Sequence, residues 1–205
     1  MSTKQHWEKV YSSKPATGVS WYAPHLARSI DLIERAAADR HARIIDVGGG
    51  ASTLVDDLLD RGFDSLTVLD LSEAALGTAK ERLGARASEV TWLPGDVTTV
   101  ELPAAHYDVW HDRAVFHFLT DADARRRYVD NVSRAVKPGG HVIVATFGPM
   151  GPESCSGLDV ARYDAEGLHG EFGARFRKVD SMREAHTTPW GSEQEFIYCY
   201  CLKLE

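Results

Sequence analysis

Asp46 lies in Ile44-Ile45-Asp46-Val47, an apolar run followed at once by Gly48-Gly49-Gly50 and then by Ala51-Ser52-Thr53. That order reads as a short buried strand, a turn of three glycines and the start of a helix. Such a turn aims backbone N–H groups and a helix dipole at an anionic or polar ligand. Glycine suits it because a Cβ would block close approach and because the chain there needs φ > 0. Twenty residues beyond Gly50, the run Leu66-Thr67-Val68-Leu69 ends in Asp70, followed by Leu71. An acid at the tip of a second strand is placed to hold a ribose diol. Asp46, two residues before the first glycine, can face the ammonium of an amino-acid moiety. A further polar cluster, His111-Asp112-Arg113 with His117 close behind, follows the strand-like Tyr107-Asp108-Val109-Trp110. In an open parallel sheet the ligand crevice lies beyond the carboxyl ends of the strands beside the switch point. His111, Asp112, Arg113 and His117 are therefore the candidates for chemistry. The plain alternative is that Asp112 and Arg113 buttress the loop and that His117 is a satisfied, half-buried histidine.

The loop divides two cofactors. A dinucleotide fingerprint needs G-x-G-x-x-G, and its third Gly is missing here, where Ala51, Ser52 and Thr53 follow Gly50. A nicotinamide-dependent oxidoreductase is thus the weaker reading. With Asp46 ahead of the glycines, the chain resembles the class I S-adenosylmethionine (SAM)-dependent methyltransferases, which carry [Asp/Glu]-x-Gly-x-Gly-x-Gly. Ser52 stands where the last Gly of that pattern would be. The resemblance implies that Asp46, Gly48, Gly49 and Gly50 hold the methionine part and that Asp70 and Leu71 hold the ribose. It also implies that Asp96 and Val97, in Gly95-Asp96-Val97, hold the adenine, since a carboxylate suits the exocyclic NH2 donor. His111 is expected to lie along the cofactor as well.

The N-terminal segment sharpens the likeness. Trp7-x-x-x-Tyr11, followed ten residues later by Trp21, resembles the opening of a methyltransferase subfamily that includes eukaryotic protein-lysine methyltransferases. In those relatives the three aromatics help to hold the cofactor, and a sulfonium cation is attracted to aromatic faces. Packing of an aromatic arm on the core is the plain alternative. The likeness stops after the fourth strand, where the lysine methyltransferases carry Glu-Lys-Gly and this chain has His111-Asp112-Arg113. There is also no Asn/Asp-Pro-Pro-Tyr, the motif of amino-methylating nucleic-acid enzymes. The expected function is methyl transfer to an O, N or S nucleophile of a small molecule, with S-adenosylhomocysteine as product. Protein-lysine N-methylation is the alternative, and a non-catalytic SAM-binding protein is the rival from another class.

The elements that must position these residues follow from periodicity. Helices are expected over about 24–39, 52–61, 72–83 and 121–136, with a short one over 164–172. Strands are expected at 43–47, 66–70, 90–93, 107–111 and 141–147, with a closing hairpin of 176–187 and 195–204. The family implies an α/β, Rossmann-like doubly wound sheet of seven strands in the order 3-2-1-4-5-7-6, the last strand antiparallel. One domain is expected over 1–205: an aromatic arm or lid (1–23), a cofactor-binding core (24–147), and a substrate loop with the C-terminal hairpin (148–205). The 205 residues suffice for one sizeable core, and 43% hydrophobic with 26% charged residues is ordinary for a globular chain. A formal charge of -7 argues against a nonspecific grip on nucleic acid. No apolar run is long enough for a membrane span, and no signal-peptide core is present. Cys155, Cys199 and Cys201 make no disulfide framework, so a cytoplasmic monomer or homodimer is expected. Cys199-x-Cys201 points to one face of a strand, but no Cys/His cluster accompanies it in sequence, so no metal is expected.

Overall fold

The computed structural model, which describes residues 3–204, has a sheet of seven strands between layers of helices. The strands are β1 (Ile44–Val47), β2 (Leu66–Asp70), β3 (Val90–Pro94), β4 (Tyr107–Arg113) and β5 (Val136–Phe147). A small hairpin, β6 (Ser154–Cys155) with β7 (Leu158–Asp159), lies in the stretch expected as a substrate loop. The long hairpin β8 (Phe176–Thr187) and β9 (Glu193–Lys203) closes the sheet. The order is β3-β2-β1-β4-β5-β9-β8, which is the expected 3-2-1-4-5-7-6 once the small hairpin is set aside. β1 to β5 are parallel, and β9 is antiparallel to both β5 and β8. Residues 1–2 and 205, the ends of the expected single domain, lie outside the described residues.

The helices are α1 (Thr3–Ser13), α2 (Ala27–Ala36), α3 (Leu54–Asp60), α4 (Glu73–Leu83), α5 (Ala122–Ala135) and α6 (Ala165–Phe172). Ser72, Asp121 and Asp164 cap α4, α5 and α6 through the N–H groups of Ala75, Ala124 and Gly167. The period-two alternation of the strands makes two cores. Ile30, Ile33, Leu54 and Leu58 cover one face through α2 and α3, while Tyr128, Val132, Leu168 and Phe172 cover the other through α5 and α6. Among the described residues, no helix is long and apolar enough to cross a membrane.

One departure from expectation matters for the site. β4 continues through Arg113 rather than ending at His111. Asp46 and Val47 of β1 pair in register with His111 and Asp112. Alternation then turns His111 and Arg113 to the α2/α3 face together with Asp46, and turns Asp112 to the other face.

Candidate active site

Asp46 and His111 form a buried pair, Nδ1 of the ring 2.7 Å from Oδ1 of the acid, with both residues 5% exposed or less. A carboxylate can only accept, so Nδ1–H donates to Asp46 and Nε2 is the nitrogen left over. Nε2 is buried and has no partner among the described residues. The Gly-rich turn presses against the acids. An added Cβ at Gly49 would run into the Asp46 carboxylate. At Gly50 (φ +24°) it would lie 2.5 Å from Asp70 Oδ2 and 2.9 Å from Ala75 Cβ. The glycines therefore let the turn lie over both carboxylates at once.

Two adjoining cavities open here. The larger, about 340 Å³, takes its walls from Trp7, Tyr11, Trp21, Asp70, Asp96 and Val97, with Gly48 and Leu71 at the turn. The smaller is lined by Asp46, Gly49 and His111. Tyr11, Trp21, Gly48 and Arg113 border both. Gly50 lines neither and acts through the packing just described.

The aromatic wall is one cluster. Trp7 meets Trp21 edge-on at 5.7 Å and Phe118 at 5.1 Å, and Tyr11 lies 6.1 Å from Trp7. The arm carrying it is a regular helix, α1, although its sequence lacks a clean amphipathic pattern. Glu8 explains why it docks. Its carboxylate accepts from the N–H groups of Glu73 (2.7 Å) and Ala74 (3.2 Å) and from the Ser72 hydroxyl, closing the N-terminus of α4. Burial pushes Glu8 up, but those three donors outweigh it and hold its carboxyl below the usual range. Sequence reasoning missed Glu8, because nothing local marks a cap made across more than sixty residues.

Asp70 is a carboxylate under tension. Burial pushes its pKa up to about 7, opposed by the Ser72 N–H (2.8 Å) and reinforced by the charges of Asp46 and Glu8. A hydroxyl pair donating to it would favour the ionised form. Ligand binding through Asp70 should thus release a proton wherever the free protein holds it protonated. Affinity for S-adenosylhomocysteine should be highest above pH ~7 and fall below it by up to about tenfold per unit. Titration calorimetry from pH 6 to pH 8 in buffers of different ionisation enthalpy measures this. A pH-independent affinity, or an equal slope in Asp70→Asn, would detach Asp70 from the ligand.

Asp112 and His117 stand apart from the other candidates, for neither lines a cavity. Asp112 is fully buried and accepts from Tyr128 Oη (2.7 Å), Val115 N (2.9 Å) and Phe116 N (3.1 Å). Burial pushes it up to about 7 despite those donors. It fixes the turn after β4, where Ala114 takes φ +74°. Removing one donor should therefore be felt in stability: Tyr128→Phe is expected to lower the unfolding free energy by ~1–3 kcal/mol in urea. A change within ~0.5 kcal/mol, the scale of a neutral surface substitution, would contradict that role. His117 Nδ1 accepts from Phe147 N at 3.3 Å, and its ring lies between Phe118 and Phe147. Burial, and then the charge of Arg113, push it down to about 3. A neutral imidazole of that kind is a poor base.

Arg127 lines the larger cavity, and Arg113 is the cation that borders both. Its Nε donates to Tyr198 Oη and its Nη1 to the Trp21 carbonyl, each at 3.2 Å, and the guanidinium lies 4.2 Å from the Phe196 ring centre. Among the described residues, the buried Nη2 has no hydrogen-bond partner. Glu184 shares these surroundings but bears on Tyr198 instead.

Comparison with known proteins identifies a methyltransferase domain and its fold. A family profile for a methyltransferase domain matches residues 44–140, from β1 into the turn of β5. The mouse eEF1A lysine and N-terminal methyltransferase is 28% identical over 144 residues, which are 67% of this chain and 20% of that protein. Malonyl-[acyl-carrier protein] O-methyltransferase of a Paenibacillus species is 32% identical over 133 residues, 62% of this chain and 46% of that protein. The chain thus spans about a fifth of the length of the first of these relatives and under half of the second. A solved structure from the conversion of a disulfide bond into a thioacetal group during echinomycin biosynthesis superposes with a TM-score of 0.80 at 17% identity, covering 98% of this chain and 93% of that one. The 1,6-didemethyltoxoflavin-N1-methyltransferase of Burkholderia thailandensis does so at 0.68 and 19%, covering 99% and 84%. At these identities the solved structures speak to the fold.

Proposed function

We propose that this chain, which matches a methyltransferase-domain profile over residues 44–140 and shares the Rossmann-like fold of solved SAM-dependent methyltransferases, is a class I SAM-dependent methyltransferase that methylates a small-molecule acceptor reacting as an anion, a carboxylate or a thiolate. The residues present fit the cofactor: an unpartnered His111 Nε2 beside Asp46, a buried Asp70 next to the glycine turn, and an aromatic wall. When bound, SAM supplies a methyl group made electrophilic by its sulfonium. The chain's own task is then to hold the cofactor, exclude water and align a nucleophile. Asp46 and His111 would take the ammonium of the methionine part, and Asp70 and Leu71 the ribose. Asp96 would take the adenine amino group with the oxygen left over from Thr98, whose N–H and hydroxyl both bond to Oδ1. Trp7, Tyr11 and Trp21 would shield the sulfonium.

The observation that carries the acceptor class is Arg113, which borders both cavities and whose buried Nη2 has no partner among the described residues. An uncompensated buried donor is costly unless a ligand completes it, and a carboxylate or thiolate does. The candidate bases support the same choice. Asp112 is engaged with the turn, His117 is a weak base outside the cavities, and His111 belongs to the cofactor side. An acceptor that arrives deprotonated needs no base. The same cation repels a lysine ammonium, which argues against the protein-lysine alternative.

A panel of small carboxylic acids, thiols, phenols and amines, incubated with methyl-labelled SAM, tests the reading. Label should enter the acids or thiols. Turnover confined to amines or to protein extract would overturn the acceptor class. Binding of SAM without turnover on any acceptor would favour the non-catalytic reading.

A further inference from the structure

We propose that His169, Cys199 and Cys201 form a binding site for one thiophilic cation of the zinc type, separate from both cavities. β9 places Cys199 and Cys201 two residues apart on one face, and α6 lays His169 over them. The two sulfurs are 3.0 Å apart, and His169 Nδ1 is 3.6 Å from Cys201 Sγ. All three candidate ligand atoms lie within 4.8 Å of one another. Tetrahedral zinc with its usual bond lengths separates S from N by about 3.6 Å and S from S by about 3.8 Å. The nitrogen already stands at that distance from Cys201 Sγ, and the sulfurs need to part by about 0.8 Å.

Both thiols are 1% exposed, while His169 is half-buried and gives the site an entry from solvent. α6 is fixed by its Asp164 cap and by buried Leu168 and Phe172, so His169 is not free to wander. Lys178, opposite Cys201 on β8, brings an ammonium close enough to feel both thiols and is itself paired with Glu166. Two thiolates with a divalent ion sum to zero charge, and Lys178 with Glu166 sum to zero as well. The filled site thus buries no net charge. The fourth position is left to water or to Glu166, one turn ahead of His169 on the same helix. Binding replaces two S–H protons by two S–metal bonds and releases both protons to buffer, with no change of oxidation state. A filled site would pin α6 to the hairpin at the edge of the sheet.

Cadmium serves as a spectroscopic stand-in for zinc, because each thiolate bound to it adds to a charge-transfer band in the ultraviolet. Reduced, chelator-treated full-length protein should take up one equivalent of cadmium with a two-thiolate band, reversed by zinc. Cys155, the remaining cysteine, lines the larger cavity and is not part of the cluster, so Cys155→Ser should leave the band intact. Cys201→Ser should halve it, and His169→Gln, at a half-buried position, should weaken binding by at least about tenfold while keeping both thiolates. A missing band at stoichiometric cadmium would overturn the proposal. So would a band that survives Cys199→Ser/Cys201→Ser, or one lost with Cys155→Ser.

Discussion

Arg113→Met should cut methyl transfer to an anionic acceptor by about 100- to 1000-fold, equivalent to ~3–4 kcal/mol of lost stabilisation. The guanidinium is held by Tyr198 Oη and the Trp21 carbonyl, so little is lost in ordering it on binding. Methionine keeps the stem volume over Phe196 but offers no donor. The loss should appear with acidic acceptors, while affinity for S-adenosylhomocysteine changes by less than about threefold, within the spread expected of an uninvolved group. Arg113→Lys should recover only part of the rate, since a point charge cannot reproduce the fork. Steady-state kinetics on the acceptor found in the panel measures both numbers. Equal loss of cofactor binding and turnover would place Arg113 on the cofactor and remove the argument for an anionic acceptor.

The second large effect concerns the buried pair. Asp46→Asn keeps an oxygen that can accept from His111 Nδ1 but removes the negative charge beside it. S-adenosylhomocysteine should then bind about 100-fold more weakly, ~3 kcal/mol, because the ligand's ammonium loses its counter-charge in a site of low dielectric. His111→Ala should cost less, roughly tenfold, since Asp46 keeps its charge but loses the ring that orients it. Calorimetric titration of the two variants gives the order. If His111→Ala proved the more damaging, the ring rather than the acid would be the primary ligand.

Most of the fold was legible because each βα unit is signalled locally. Ile44–Val47 is apolar but for Asp46, three glycines break it, Ser72, Asp121 and Asp164 announce helices, and the paired runs at the C-terminus read as a hairpin. The lining of the two cavities was partly legible for the same reason: Asp46, Asp70 and Asp96 each stand at or near a strand end, where topology alone fixes direction. The residues after β4 were harder. Ending the strand at His111 aims His111, Asp112 and Arg113 all into the crevice, whereas a strand that runs two residues further sends Asp112 to the opposite face. A two-residue error in one boundary decides which of three polar side chains can meet a substrate. What lay beyond sequence was long-range pairing. Glu8 caps α4, and His169 meets Cys199 and Cys201, only because helix docking brings distant segments together.

The most direct test of the cofactor cradle is calorimetric titration of the purified protein with S-adenosylhomocysteine, with NAD in parallel. Micromolar or tighter binding of the former alone, about −8 kcal/mol or better, is the expected result. Binding of NAD alone, or of neither ligand, would contradict it.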